Sequence, residues 1–184
     1  MIHSYEIDYD LNPSFIKSLL WQAHNTEFIN YVGASSGSSY DLKIASSAKH
    51  IMKTPTISYM MNNIINPDLN IEGCVYLHFE PNKKIPPHVD DSLKRTSCVT
   101  WALFPDIENF APVIFYDENG NEKDKVYYTN KPLILNTRYR HGVQNNNSDR
   151  YSFQLCLNNP IEELVELDKE NKLLKSGITN SVWF

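Results

Sequence analysis

His88 and Asp90, in Ile85-Pro86-Pro87-His88-Val89-Asp90, are separated by a single residue. In an extended chain, residues two apart project from the same face, so both side chains can reach one metal ion. A third ligand must come from elsewhere. The natural candidate is His141, in Arg140-His141-Gly142-Val143, 53 residues after His88. Two histidines and one carboxylate on one face of an ion leave three positions open, the donor set of non-haem Fe(II) sites. Structural zinc would close its shell with four protein ligands, and no obvious fourth is present. A lone His-x-Asp occurs in many proteins, where the histidine is simply a hydrogen-bonded strand residue.

The chain after His141 gives the pair more weight. In Arg150-Tyr151-Ser152-Phe153-Gln154-Leu155, residues Tyr151, Phe153, Leu155 and Leu157 form one apolar face, and Arg150, Ser152 and Gln154 form the other. Alternation alone describes a half-buried strand whose polar side meets water. In a jelly roll, the same polar side can line the barrel beside a metal. There Arg150 could grip a carboxylate through two parallel hydrogen bonds, with Ser152 adding a third.

Strands are needed to bring these residues together. Between residues 71 and 158 the sequence predicts eight short ones, at 72–80, 85–90, 96–104, 112–117, 125–129, 132–136, 140–145 and 150–157. Turn residues bound them, and Asn119-Gly120 is the strongest hairpin signal. Helices are expected outside this region. One follows Asn12-Pro13 with Phe15, Ile16, Leu19 and Leu20 in phase; a second follows Thr54-Pro55 with Ile57, Met60, Met61 and Ile64. A third follows Asn159-Pro160 with Ile161, Leu164, Val165 and Leu167 on one face. A mainly β jelly roll with helices on one outer face fits this order. It makes one domain, with 1–70 a helical N-terminal part, 71–157 the β core and 158–184 a C-terminal helix and tail.

At 184 residues and 21.3 kDa the chain can bury a core without disulfides or structural metal. Its 17 Lys+Arg against 22 Asp+Glu give a net charge of −5, which argues against broad nucleic-acid binding. Cys74, Cys98 and Cys156 are odd in number and form no C-x-x-C pair, so they read as buried thiols. With neither a signal-peptide profile nor a membrane-length apolar run, the expected location is cytoplasmic. Gly33-Ala34-Ser35-Ser36-Gly37-Ser38-Ser39 lacks the Gly-Lys-Ser/Thr of a phosphate loop and reads as plain loop. Asn146-Asn147-Ser148 matches a glycosylation acceptor only incidentally.

In these residues the chain resembles the Fe(II)- and 2-oxoglutarate-dependent oxygenases: His88-x-Asp90, then His141, then Arg150-x-Ser152, spread over residues 71–157. The resemblance implies a double-stranded β-helix in which His88, Asp90 and His141 bind Fe(II). It implies that Arg150, assisted by Ser152, holds the C5 carboxylate of 2-oxoglutarate, with ascorbate as a candidate reductant. The implied reaction converts 2-oxoglutarate and O2 to succinate and CO2 while a substrate is hydroxylated. The segment from His78 to His88 is similar to the strand-turn-strand of prolyl and aspartyl/asparaginyl hydroxylases, with Asn82 in place of their turn glycine. By that likeness Tyr76 and His78 would reach 2-oxoglutarate from the opposite side. Nucleic-acid demethylases of the family carry a second arginine six residues after the first, where this chain has Cys156. Membrane-bound aspartyl hydroxylases often lack the acidic iron ligand that Asp90 supplies here. The implied substrate is therefore an amino-acid side chain, free or in a peptide.

Two other readings stand beside this one. A non-catalytic jelly-roll binding module would explain the strands and helices but not the order of His88, Asp90, His141 and Arg150. A cupin-type dioxygenase could recruit Glu80 as a further ligand, which leaves Arg150 without a role. Arg95 could orient a carboxylate, although a surface salt bridge is its simpler reading. Loop 105–111, Trp101 and Tyr116 are candidates for the entrance, and the residue types are silent on oligomeric state.

Overall fold

In a computed structural model, residues 2–32, 39–45, 53–90, 95–103, 110–144, 147 and 149–175 are described. The Gly/Ser segment at 33–38, most of loop 105–111, and Asn146 and Ser148 lie outside them. All eight expected strands form: β4 (Ile71–Phe79), β5 (Lys84–His88), β6 (Ser97–Ala102), β7 (Val113–Tyr116), β8 (Glu122–Val126), β9 (Leu133–Leu135), β10 (His141–Gln144) and β11 (Arg150–Leu157). The three helices are α1 (Pro13–His24), α2 (Pro55–Asn63) and α3 (Ile161–Lys169). At the start of α1, the Asn12 side chain accepts a hydrogen bond from the Ser14 N–H at 2.8 Å.

The N-terminal 70 residues are not purely helical. They also hold β1 (Ser4–Glu6), β2 (Ile29–Val32) and β3 (Ser39–Ala45). β1 is three residues long and is defined by pairing with β9, more than 120 positions away, so no local pattern announces it.

Two sheets result. One has the order β1-β9-β6-β11-β4-β3-β2 and the other β5-β10-β7-β8. The larger sheet is apolar on both sides. Tyr76, Val99, Trp101, Phe153, Leu155 and Leu157 pack under α1, α2 and α3 against Phe15, Leu19, Ile57, Met60, Ile161 and Leu164. On its other side Phe79, Cys98, Ala102, Leu133 and Leu135 meet Ile85, Val113, Phe115, Val126 and Val143 of the smaller sheet. That second layer is the interior of the jelly roll.

Two turns obey local chemistry. Gly120 takes φ 84° between β7 and β8, and the Asp117 carboxylate accepts from the N–H groups of Asn119 and Asn121. Asn82 takes φ 59° between β4 and β5, the left-handed conformation expected of a residue standing in for glycine. β8 starts three residues earlier than its apolar pattern indicates. It is an edge strand whose Glu122, Lys123, Asp124 and Lys125 are exposed, so pairing rather than burial sets its start.

Candidate metal and cosubstrate site

His88 and His141 end up opposite each other because of an irregularity in β5. His88 pairs with His141, but Ile85 pairs with Val143, so three steps on β5 face two on β10. The extra residue falls at Pro86-Pro87, which have no N–H to lose, on the edge strand of the smaller sheet. Ile85 and His88 would otherwise point to opposite faces; the bulge turns both inward. Gly142 makes room for it, since a Cβ there would sit 2.7 Å from the Ile85 carbonyl oxygen.

Strand geometry does not extend to Asp90, because β5 stops at His88. Asp90 is placed instead by its own N–H, which donates to the Thr137 carbonyl at 3.1 Å. The same loop supplies the Tyr139 carbonyl, 2.8 Å from His141 Nδ1. The Pro86 carbonyl lies 3.0 Å from His88 Nδ1. Each Nδ1–H is thereby committed to a backbone oxygen, which directs both Nε2 atoms toward the site.

One ligand atom from each of His88, Asp90 and His141 lies within 4.8 Å of the others. His88 Nε2 is 3.2 Å from Asp90 Oδ1, and Arg95 Nη1 is 3.1 Å from Asp90 Oδ2. Burial opposes ionisation of Asp90, but the hydrogen bond from His88 and the charges of His141 and Arg95 outweigh it, so its carboxyl is held well below the usual range. For His88 burial likewise disfavours the charged form, and the bond and charge of Asp90 outweigh it, raising its pKa. For His141 burial is the largest influence and lowers its pKa, against the opposing pull of the Asp90 carboxylate.

Arg150 is not on the surface. It is 1% exposed, at the head of β11, where it lines the same cavity of about 90 Å³ as His88, Asp90 and His141. Its guanidinium carbon lies 4.4 Å from the Tyr128 ring centroid and 5.0 Å from those of Phe79 and Phe110. Nη1 donates to the Ala111 carbonyl at 2.9 Å, while Nε and Nη2 make no hydrogen bond. Burial lowers its pKa, and Tyr128 opposes that shift. A buried cation with idle donors is costly unless an anion completes it, so these atoms fit a carboxylate ligand. The Ser152 hydroxyl, on the same face of β11, is also buried without a partner.

Tyr76 and His78 do not join this group. The face of β4 that lines the cavity carries Val75, Leu77 and Phe79, and strand alternation sends Tyr76 and His78 the other way. The Tyr76 hydroxyl donates to Gln22 Oε1 of α1 at 2.8 Å. The His78 ring stacks on Tyr151 with centroids 4.3 Å apart, and its Nε2 is 2.9 Å from Asp149 Oδ1. Their placement as cosubstrate ligands is corrected accordingly. Trp101 also lies on the helix side, 2% exposed. Arg95 is no surface salt bridge either; its side chain is 14% exposed and it lines the cavity. Sequence reasoning missed Thr137, Tyr128 and Gly142. Their roles depend on a backbone carbonyl, a cross-barrel contact and a close approach, and none of these leaves a local pattern.

No known family model matches the chain, and no curated protein matches it. Solved structures do match in shape. A prolyl hydroxylase from Trichoplax adhaerens, in complex with a hypoxia-inducible-factor peptide fragment, is 18% identical with TM-score 0.61, covering 84% of this chain and 83% of its own. A prolyl-4-hydroxylase from Pseudomonas putida is 12% identical with TM-score 0.61, covering 84% and 91%. HygX from Streptomyces hygroscopicus, with nickel, 2-oxoglutarate and hygromycin B bound, is 9% identical with TM-score 0.54, covering 84% and 82%. The fold is the double-stranded β-helix of the 2-oxoglutarate oxygenases. In the larger sheet β9, β6, β11 and β4 are central, while β1 extends it at one edge and β3 and β2 at the other.

Proposed function

We propose that the protein is an Fe(II)- and 2-oxoglutarate-dependent oxygenase that hydroxylates an amino-acid side chain, free or within a peptide. The observation that carries the reading is the meeting, in one buried cavity, of the His88–Asp90–His141 cluster and an Arg150 guanidinium with unused donors. The rival readings leave Arg150 without a ligand, and Glu80 is not part of the His–Asp–His cluster.

His88, Asp90 and His141 would hold the iron. Arg150 would bind the carboxylate of 2-oxoglutarate remote from it, through Nε and Nη2, with Ser152 as a second donor. The iron would supply the O2 chemistry, in which 2-oxoglutarate becomes succinate and CO2 and one oxygen atom enters a substrate C–H bond. Val75, Leu77, Leu135 and Val143 line the same cavity and give it apolar walls that would exclude water. Hydroxylation of an amino-acid side chain is supported by the likeness in fold to two prolyl hydroxylases, one of them solved with a peptide. Among the described residues no helix is long and apolar enough to cross a membrane.

The test is anaerobic titration of metal-free protein with Fe(II) and then 2-oxoglutarate, followed by optical absorption. A metal-to-ligand charge-transfer band that requires both additions is the expected result. No band after both additions, or iron binding that survives both His88→Ala and His141→Ala, overturns the reading.

A further inference from the structure

Asp90 differs from the two histidines in having two equivalent atoms to offer. A carboxylate turns about a broad two-fold torsion and can hold an ion through one oxygen or both. Here the two oxygens are distinguished. Oδ1 faces His88 Nε2 at 3.2 Å, inside the ligand cluster, while Oδ2 is bonded to Arg95 Nη1 at 3.1 Å. Both side chains are about one-seventh exposed, at 15% and 14%, so water competes little for either. The Asp90 N–H fixed on Thr137 removes the remaining backbone freedom.

We infer that Arg95 is a positioning residue that keeps Asp90 a one-oxygen ligand. This rests on the oxygenase reading and assigns a part of the site that reading leaves open. Two imidazoles and one carboxylate oxygen leave three positions of a six-coordinate ion, two for 2-oxoglutarate and one for O2. A carboxylate that swung round to bind through both oxygens would occupy one of them. Arg95 prevents this by holding Oδ2 away, and its backbone is itself anchored. The next residue, Thr96, is tied through its N–H to the Leu157 carbonyl at 3.0 Å and through its hydroxyl to the Asn159 carbonyl at 2.8 Å. A guanidinium beside a cation site is repulsive, so a purely stabilising role would be better served by an apolar side chain.

The test is Co(II) binding to wild type, Arg95→Lys, Arg95→Met and His141→Ala, read by calorimetry and by the intensity of the cobalt d–d bands, which report coordination number and geometry. Wild type should bind one Co(II), and His141→Ala should not; failure of that pair indicts the oxygenase reading itself. Given that pair, Arg95→Met should bind Co(II) at least as tightly as wild type, because the repulsive guanidinium is gone and both Asp90 oxygens become available to the ion. Its d–d spectrum should change, and addition of 2-oxoglutarate should perturb that spectrum less than in wild type. Arg95→Lys retains one donor and should lie between the two. Should Arg95→Met fail to fold, Arg95→Gln carries the same comparison. Weaker binding, or an unaltered spectrum with only a lower melting temperature, in the folded neutral variant would overturn the inference.

Discussion

The guanidinium of Arg150 sits among Tyr128, Phe79 and Phe110 with its edge atoms Nε and Nη2 idle, an arrangement that selects for a planar, doubly accepting anion. Lysine at this position would keep the charge but lose the fork and the ring contacts. Charge-assisted hydrogen bonds contribute on the order of 1.5–3 kcal/mol each. Arg150→Lys should therefore weaken 2-oxoglutarate at least tenfold, with metal affinity nearly unchanged, in calorimetry with a redox-inert divalent ion. Equal affinity in the two proteins would show that Arg150 is not the anchor. Asp90 offers a separate check, because it brings the only negative charge among the three ligands. Asp90→Ala should greatly reduce the succinate formed from 2-oxoglutarate under Fe(II), ascorbate and O2 without added substrate, measured by chromatography against wild type.

The diproline bulge of β5 and Gly142 of β10 act as a pair of elements rather than as separate residues. A methyl group at Gly142 meets the Ile85 carbonyl oxygen at 2.7 Å and Pro86 C at 3.3 Å, both backbone atoms that cannot rotate away. Gly142→Ala should cost about 1–3 kcal/mol, as overpacking does. The melting temperature should fall by roughly 2–4 °C for each kcal/mol. Because relief of the clash means moving β5 away from β10, Co(II) affinity should drop in the same variant. A destabilised protein with wild-type metal affinity would show that the bulge does not aim His88. At this scale much was legible in advance. The eight strands of the β core follow from alternation and turn residues, and the inward face of Arg150, Ser152 and Gln154 follows from the period of two. The split between Tyr76 and Val75 was not legible, because both faces of β4 are covered and apolar residues appear on each. Nor was Asp90's position, since a hydrogen bond from its own N–H to the Thr137 carbonyl, 47 residues later, supplies it.

Across the whole molecule, the proposed metal site is tied to the N-terminal strand. The Asn136 N–H donates to the His3 carbonyl at 2.9 Å, and its side-chain amide donates to the Ile2 carbonyl at 3.1 Å. The His3 ring stacks on Phe115 at 5.0 Å, and Phe115 in turn lies 6.0 Å from His141. Asn136 begins the loop whose Thr137 and Tyr139 carbonyls hold Asp90 and His141. Deleting residues 1–4 should therefore weaken Co(II) binding several-fold without touching a ligand, as calorimetry on the truncated protein would show. Unchanged binding would mean that the loop keeps its shape unaided. The same ties govern the order in which the protein can be built. β1 closes on β9 and β4 closes on β11, so each pairing joins stretches made far apart in time during synthesis. Chains dominated by such distant contacts fold slowly. His88 leaves the ribosome long before His141 or Arg150 exists, and β11 is the strand that seals the larger sheet. A nascent chain shorter than about Leu157 thus lacks the cavity in which the proposed iron would sit, and loading would follow completion of the barrel.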